Sequence, residues 1–194
     1  MTGFTVHTRD TAPAPAHPVM DAYADRFGFV PNLVGILAGA PAALNGYATG
    51  YNLMNDTAFT PAEQQLLFLA VSRANGCTYC VAAHSAAAKM AGLDDETIQA
   101  VRDGRTVLEP KLAAIAEFAA KVVDKRGRVS ALDIENFLTA GHGRAQILEV
   151  VLAVAVKTIS NYVNHMADTP LDAMFAPLAW TPEPAMQAHD SAAE

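Results

Sequence analysis

Apolar residues recur along this chain at spacings of three and four, the pattern of helices that bury one face. Met20, Tyr23, Ala24 and Phe27 share such a face, and Gly28 ends the run. Pro31 and Pro41 each stand where a helix can open, giving a short helix through Leu37 and a longer one from Ala42 to about Leu53. Thr60, Pro61 and Glu63 supply an N-cap, a first-position proline and a capping-box glutamate for a helix through Val71. Asn75 and Gly76 then break the pattern, and a second helix starts near Cys77. Gly92 closes that helix, and Asp94 caps a short one to about Arg102. Pro110 opens a helix through Val123 that turns Ala113, Ile115, Ala116, Ala119 and Val122 or Val123 inward, and Gly127 closes it. Ser130 and Asp133 start another, ending near Gly141. The most apolar helix runs from about Arg144 to Met166, with nearly every position from Val150 to Val156 apolar. A helix apolar on all sides belongs at the centre of a bundle or between subunits, and this one is expected beside the helix that carries the cysteines. Its polar Asn161, Asn164 and His165 are expected to hydrogen-bond loops or to face solvent. Thr169, Pro170 and Asp172 cap a last short helix to about Phe175.

The two ends depart from this pattern. Residues 1–18 hold Pro13, Pro15 and Pro18 without helical periodicity and read as an extended arm, able to pack on a neighbouring subunit. Residues 177–194, with Pro177, Pro182 and Pro184, read as a tail. Residues 19–176 are then one all-α domain, the size expected of a chain of 194 residues.

Composition narrows the function. A hydrophobic share of 52% with 7% aromatic residues suits packed helices. The net charge of -7, with no basic stripe, leaves no footprint for nucleic acid. No stretch reads as the 18 to 20 apolar residues of a membrane span, Val150–Val156 being bracketed by Glu149 and Lys157. The first residues lack the basic start and apolar core of a secretory signal. The expectation is a cytoplasmic protein without a membrane partner. In that reducing compartment a close cysteine pair is catalytic or metal-binding before it is a staple.

Both cysteines lie in one short stretch, Asn75 to His84. Cys77, Cys80 and His84 fall at i, i+3 and i+7, along one stripe of a helix. A thiol in the first turn meets unpaired backbone N–H groups and the positive end of the helix dipole, which favour thiolate. Cys80 lies one turn from His84 and can hydrogen-bond its imidazole. The pattern reads as an activated nucleophile with a second sulfur close enough to form a disulfide. Three plainer readings stand beside it: two buried structural cysteines, a core histidine among small apolar neighbours, and a zinc site that would need His142 or His165 as its fourth ligand.

The stretch NGCTYCVAAH resembles the AhpD-like family, which also contains the carboxymuconolactone decarboxylases. The likeness extends back through TPAEQQLLFLAVSRANG and reappears in SNYVNHMADTPLD, from Ser160 to Asp172. It implies an all-helical AhpD-like bundle assembled as a homotrimer or a trimer-based oligomer, and a hydroperoxide reductase that needs no cofactor or metal. By position, the resemblance makes Cys80 the residue that attacks peroxide, Cys77 the one that resolves the sulfenic acid, and His84 the group that helps deprotonate Cys80. An external dithiol, lipoyl-linked or thioredoxin-like, would restore the thiols. The decarboxylase branch fits less well, since its chemistry on a lactone acid does not use a redox cysteine pair.

Two positions depart from the family. The glutamate found twelve residues before the first cysteine is Gln65 here, and an amide can orient a neighbour but cannot carry a proton. A relay histidine between the cysteines is replaced by Tyr79. Glu63 is nearby, as a candidate relay or orienting group whose expected job is the capping box; Glu149 or a glutamate from another subunit could substitute. A zinc-binding or redox-sensing protein using the same residues without turnover is the alternative.

Overall fold

A computed structural model describes residues 3–182. Nine α-helices and three short 3-10 turns make up its regular structure, with no strand among the described residues. The helices are α1 (His17–Phe27), α2 (Asn32–Ala38), α3 (Pro41–Leu53), α4 (Pro61–Ala74), α5 (Thr78–Met90), α6 (Asp95–Asp103), α7 (Pro110–Asp124), α8 (Ala131–Thr139) and α9 (Arg144–Ala167).

The start and stop signals act as their chemistry demands. Thr60 Oγ1 accepts from the Glu63 amide at 3.2 Å while the Glu63 carboxylate accepts from the Thr60 amide at 2.8 Å. Ser130 and Asp133 form the same reciprocal pair for α8, and Asp94 caps α6. Gly28, Gly76 and Gly92 take positive φ values of 80°, 68° and 87° where the chain turns out of a helix. The last short helix forms as a 3-10 turn, Ala173–Leu178, and reaches past Phe175 to include Pro177. Of the tail, only 177–182 is described. The sequence from residue 3 to Pro13 takes no regular form and is seated on α2, where the His7 amide donates to the Gly35 carbonyl at 3.1 Å. A methyl group at Gly35 would stand 2.8 Å from the His7 carbonyl oxygen, so a glycine lets the arm come this close.

The centre of the bundle is α4, not α9. Leu66, Leu67, Leu69 and Val71 point in different directions around α4 and all are wholly buried, because α5, α6, α7 and α9 surround it. Helix α9 packs on α2, α3, α4, α5 and α7, and Gly50 of α3 lets its backbone approach Val156. Its far side stays open: Leu148, Val151, Ile159, Tyr162 and Met166 form an exposed apolar stripe. By length and composition α9 could also cross a membrane, so a bilayer-length apolar helix does exist, contrary to the expectation drawn from Val150–Val156. Its buried face, apolar at Val150, Ala153 and Val156, becomes polar from Lys157 onward, and that polar part builds the site.

Candidate functional site

The turn at Asn75 and Gly76 delivers Cys77 as the N-cap of α5 and Cys80 into its first turn. The Cys77 amide donates to the Ser72 carbonyl at 2.9 Å, and Asn75 Nδ2 donates to Asn161 Oδ1 at 2.9 Å, which fastens the turn to α9. Both sulfurs are buried and reduced. Above them α9 presents Lys157, Ser160, Asn161 and Asn164, at i, i+3, i+4 and i+7, one polar stripe along an otherwise apolar helix. Asn164 Nδ2 donates to Cys80 Sγ at 3.2 Å and reaches Cys77 Sγ at 3.7 Å. Ser160 Oγ lies 3.9 Å from Cys80 Sγ. Asn164 therefore faces neither loop nor solvent as expected; its amide joins the two thiols to α9. Asn161 does bond the loop, and His165 stays at the surface, stacked on Tyr162.

These neighbours split the two thiols. Burial alone would raise Cys80, but the hydrogen bond from Cys77 and the charge of Lys157 outweigh it and hold Cys80 well below the usual thiol range. Cys77 is driven the opposite way, first by the hydrogen bond it donates to Cys80 and then by burial, so it keeps its proton. One sulfur is an anion and the other its donor.

His84 is engaged elsewhere. Its Nδ1 lies 3.0 Å from Gln65 Oε1 and its Nε2 lies 2.7 Å from Lys157 Nζ. The direct Cys80–His84 hydrogen bond expected from spacing does not form, because both ring nitrogens already have partners. Burial first, then the Lys157 charge, holds the imidazole well below its usual pKa, so it is neutral. The ring packs against Phe68, whose other face stacks on Tyr51.

The remaining expected residues lie apart from the sulfurs. Gln65 touches His84 and also Tyr51 Oη, at 3.4 Å. Tyr79 points away from the cysteines: its hydroxyl donates to Asp172 Oδ2 at 2.5 Å and accepts from the Leu33 amide at 3.4 Å. Glu63 is held by its capping box and by Lys111, 2.9 Å away. Glu149 accepts from the Ala58 amide at 3.1 Å, about 12 Å along α9 from Lys157, so it reaches neither sulfur. His142 Nε2 donates to the Lys111 carbonyl at 3.0 Å and the ring stacks on Phe137, and no three His, Cys, Asp or Glu side chains converge as metal ligands among the described residues. Neither histidine that a zinc site required is at the cysteines. The residue that sequence reading missed is Lys157, wholly buried. A lysine flanked by apolar residues reads as the edge of a run; the signal was its four-residue register with Ser160, Asn161 and Asn164.

Residues 38–125 match the Carboxymuconolactone decarboxylase family. The matched segment runs from the end of α2 through α7 and holds both cysteines. The chain's AhpD-like fold is shared by the AhpD-core, peroxidase-related protein of Ralstonia eutropha JMP134, with a TM-score of 0.80 and 24% identity over 89% of this chain and 93% of that one. A peroxidase-related protein of Silicibacter sp. TM1040 aligns with a TM-score of 0.77 and 19% identity, covering 89% of this chain and 92% of the other. The debrominase Bmp8 aligns with a TM-score of 0.77 and 17% identity over 91% and 96%. At these identities the likeness is one of fold. No curated protein matches the sequence. The chain thus shares a helical frame with these proteins, and its cysteine stripe lies within the matched segment.

Proposed function

We propose that the chain is a thiol oxidoreductase that reduces hydroperoxides through Cys80 and Cys77. The observation that carries this reading is the unequal pair itself: an anionic Cys80 held by Asn164 beside a protonated Cys77. The Cys80 thiolate attacks the outer peroxide oxygen, the O–O bond breaks, and the leaving oxygen departs as alcohol or water once it takes a proton. Cys80 is then a sulfenic acid. Cys77 attacks that sulfur, water leaves, and a disulfide closes between residues three apart. Asn164 Oδ1 is buried without a protein partner and would accept from the hydroperoxide O–H. A cleft of about 280 Å³ lies against the first turn of α5, lined by Thr78, Tyr79, Thr169, Leu171, Ala179 and Trp180. An external dithiol, lipoyl-linked or thioredoxin-like, reduces the disulfide, and a reducing cytoplasm suits the resting thiols.

Brief exposure of the reduced protein to one equivalent of cumene hydroperoxide tests this by intact mass and free-thiol count. Wild type should lose two hydrogens, and Cys77→Ser should instead retain one added oxygen on Cys80. Thiols that survive unchanged would reject the peroxide reading.

The same proposal includes assembly as a homotrimer or a multiple of one. The exposed stripe of α9, from Leu148 to Met166, is the surface a second copy would cover, since long apolar stripes are seldom left to water. Sedimentation velocity should show an oligomer, and Tyr162→Asp combined with Met166→Asp should shift it toward monomer. A wild-type monomer at micromolar concentration would remove the assembly.

A further inference from the structure

Lys157 is an unusual residue to find where it is. It is wholly buried on α9, and no Asp or Glu is paired with it among the described ion pairs. Its Nζ hydrogen-bonds His84 Nε2 at 2.7 Å and lies 5.8 Å from the centre of the Phe68 ring. An ammonium in such a place needs a nearby negative charge or it is too costly to keep. The titratable groups around the site are Cys77, Cys80 and His84 from α5 and the phenols of Tyr47 and Tyr51 from α3; α4 contributes the neutral Gln65 and Phe68. Of these, Cys80 is the group able to supply the charge.

We infer that the Lys157 ammonium is the counter-charge of Cys80 and supplies the proton that leaves with the reduced peroxide. This rests on the thiol oxidoreductase reading for its peroxide step. The hydrogen-bond directions follow from the groups. An ammonium has only N–H to offer, so His84 Nε2 accepts; the imidazole proton is then on Nδ1 and is donated to Gln65 Oε1. That arrangement explains why an amide suffices at position 65: Gln65 accepts from the ring and fixes its tautomer, while the proton store is on the opposite side of His84.

The steps balance. Lys157 as ammonium, Cys80 as thiolate and Cys77 as thiol meet ROOH. A sulfur–oxygen bond forms, the O–O bond breaks, and the leaving RO⁻ takes the ammonium proton, giving ROH, Cys80 sulfenic acid and a neutral Lys157. The Cys77 proton then passes to the amine and on to the departing hydroxide as Cys77 attacks. The products are the disulfide, water and a neutral Lys157, with Cys80 and Cys77 oxidised by two electrons and the peroxide reduced by two.

The test is the pH profile of Cys80 alkylation by iodoacetamide, read by peptide mass on the reduced full chain, for wild type, Lys157→Met, Lys157→Arg and His84→Gln. The profile needs no peroxide, so it decides the Lys157 inference even if the hydroperoxide reading fails, and the mass experiment with cumene hydroperoxide decides that reading separately. Lys157→Met should move the midpoint up toward the free-thiol value of about 8.5 and slow labelling at pH 7 at least tenfold. Lys157→Arg, which keeps the charge, should restore most of the difference, and His84→Gln should leave the midpoint within about one unit of wild type while slowing peroxide turnover. Should the methionine variant fail to fold, Lys157→Gln is the second neutral replacement and is read in the same way. A low midpoint retained by the neutral variants, or a midpoint that rises only in His84→Gln, would overturn the inference and return the task to the imidazole.

Discussion

Cys80→Ser is expected to lower steady-state reduction of cumene hydroperoxide by at least about a thousandfold, measured with a dithiol reductant in excess. A serine hydroxyl at this site stays protonated, since neither Asn164 nor the Lys157 charge can bring an alcohol near ionisation at neutral pH. Cys77→Ser should behave differently. It keeps the attacking sulfur but removes the hydrogen bond that Cys77 donates to it, so with peroxide and no added thiol it should complete a single slower turnover and then stop as the sulfenic acid. The contrast between no turnover and one turnover separates attack from resolution more cleanly than either rate alone. Equal losses in the two variants would mean that the roles of Cys77 and Cys80 are not divided as proposed.

The second large effect is on stability. The reduced protein should be most stable near pH 8 to 9 and weaken on both sides. Cys80 is ionised in the folded chain, whereas the unfolded chain carries an ordinary thiol; between those two values the unfolded state binds one more proton, so stability rises with pH. The slope is about 1.4 kcal/mol per pH unit while that difference lasts. Below about pH 6.5 the unfolded chain also protonates His84, which the fold keeps neutral, and the acid loss steepens. Above the ordinary thiol range the sign reverses, because Cys77 is held protonated in the fold and ionises only on unfolding. Thermal melting of the reduced protein from pH 5.5 to 10 should trace this dome, and Cys80→Ser should flatten its rise between pH 6 and 8. An equal slope in that variant would show that Cys80 is an ordinary protonated thiol in the fold.

Much of the frame was legible because local chemistry decides it. The Thr60 and Glu63 box, the Asn75–Gly76 break and the Asp94 and Ser130 caps each satisfy backbone groups within three or four residues, and they form as expected. The placing of the central helix was not legible. Both α4 and α9 are strongly apolar, and which one is surrounded depends on how distant helices pack. The site divides in the same way. The Cys77, Cys80 and His84 spacing shows a shared stripe, and Gln65 does meet His84. The direction in which each ring nitrogen turns is set by Lys157, seventy-three residues after His84, and spacing within α5 could not show it. Tyr79 and Glu149 illustrate the converse: reactive side chains close to the motif or to the thiol-facing helix were plausible helpers, yet they are spent on Asp172 and the Ala58 amide.

That long separation has a consequence during synthesis. Lys157, Ser160 and Asn164 leave the ribosome some eighty residues after Cys77 and Cys80, so a growing chain carries two ordinary thiols with no counter-charge and no amide to hold them. On the proposed thiol oxidoreductase reading, the lowered Cys80 pKa would arise only when α9 docks, and the incomplete nascent polypeptide would be less open to oxidation.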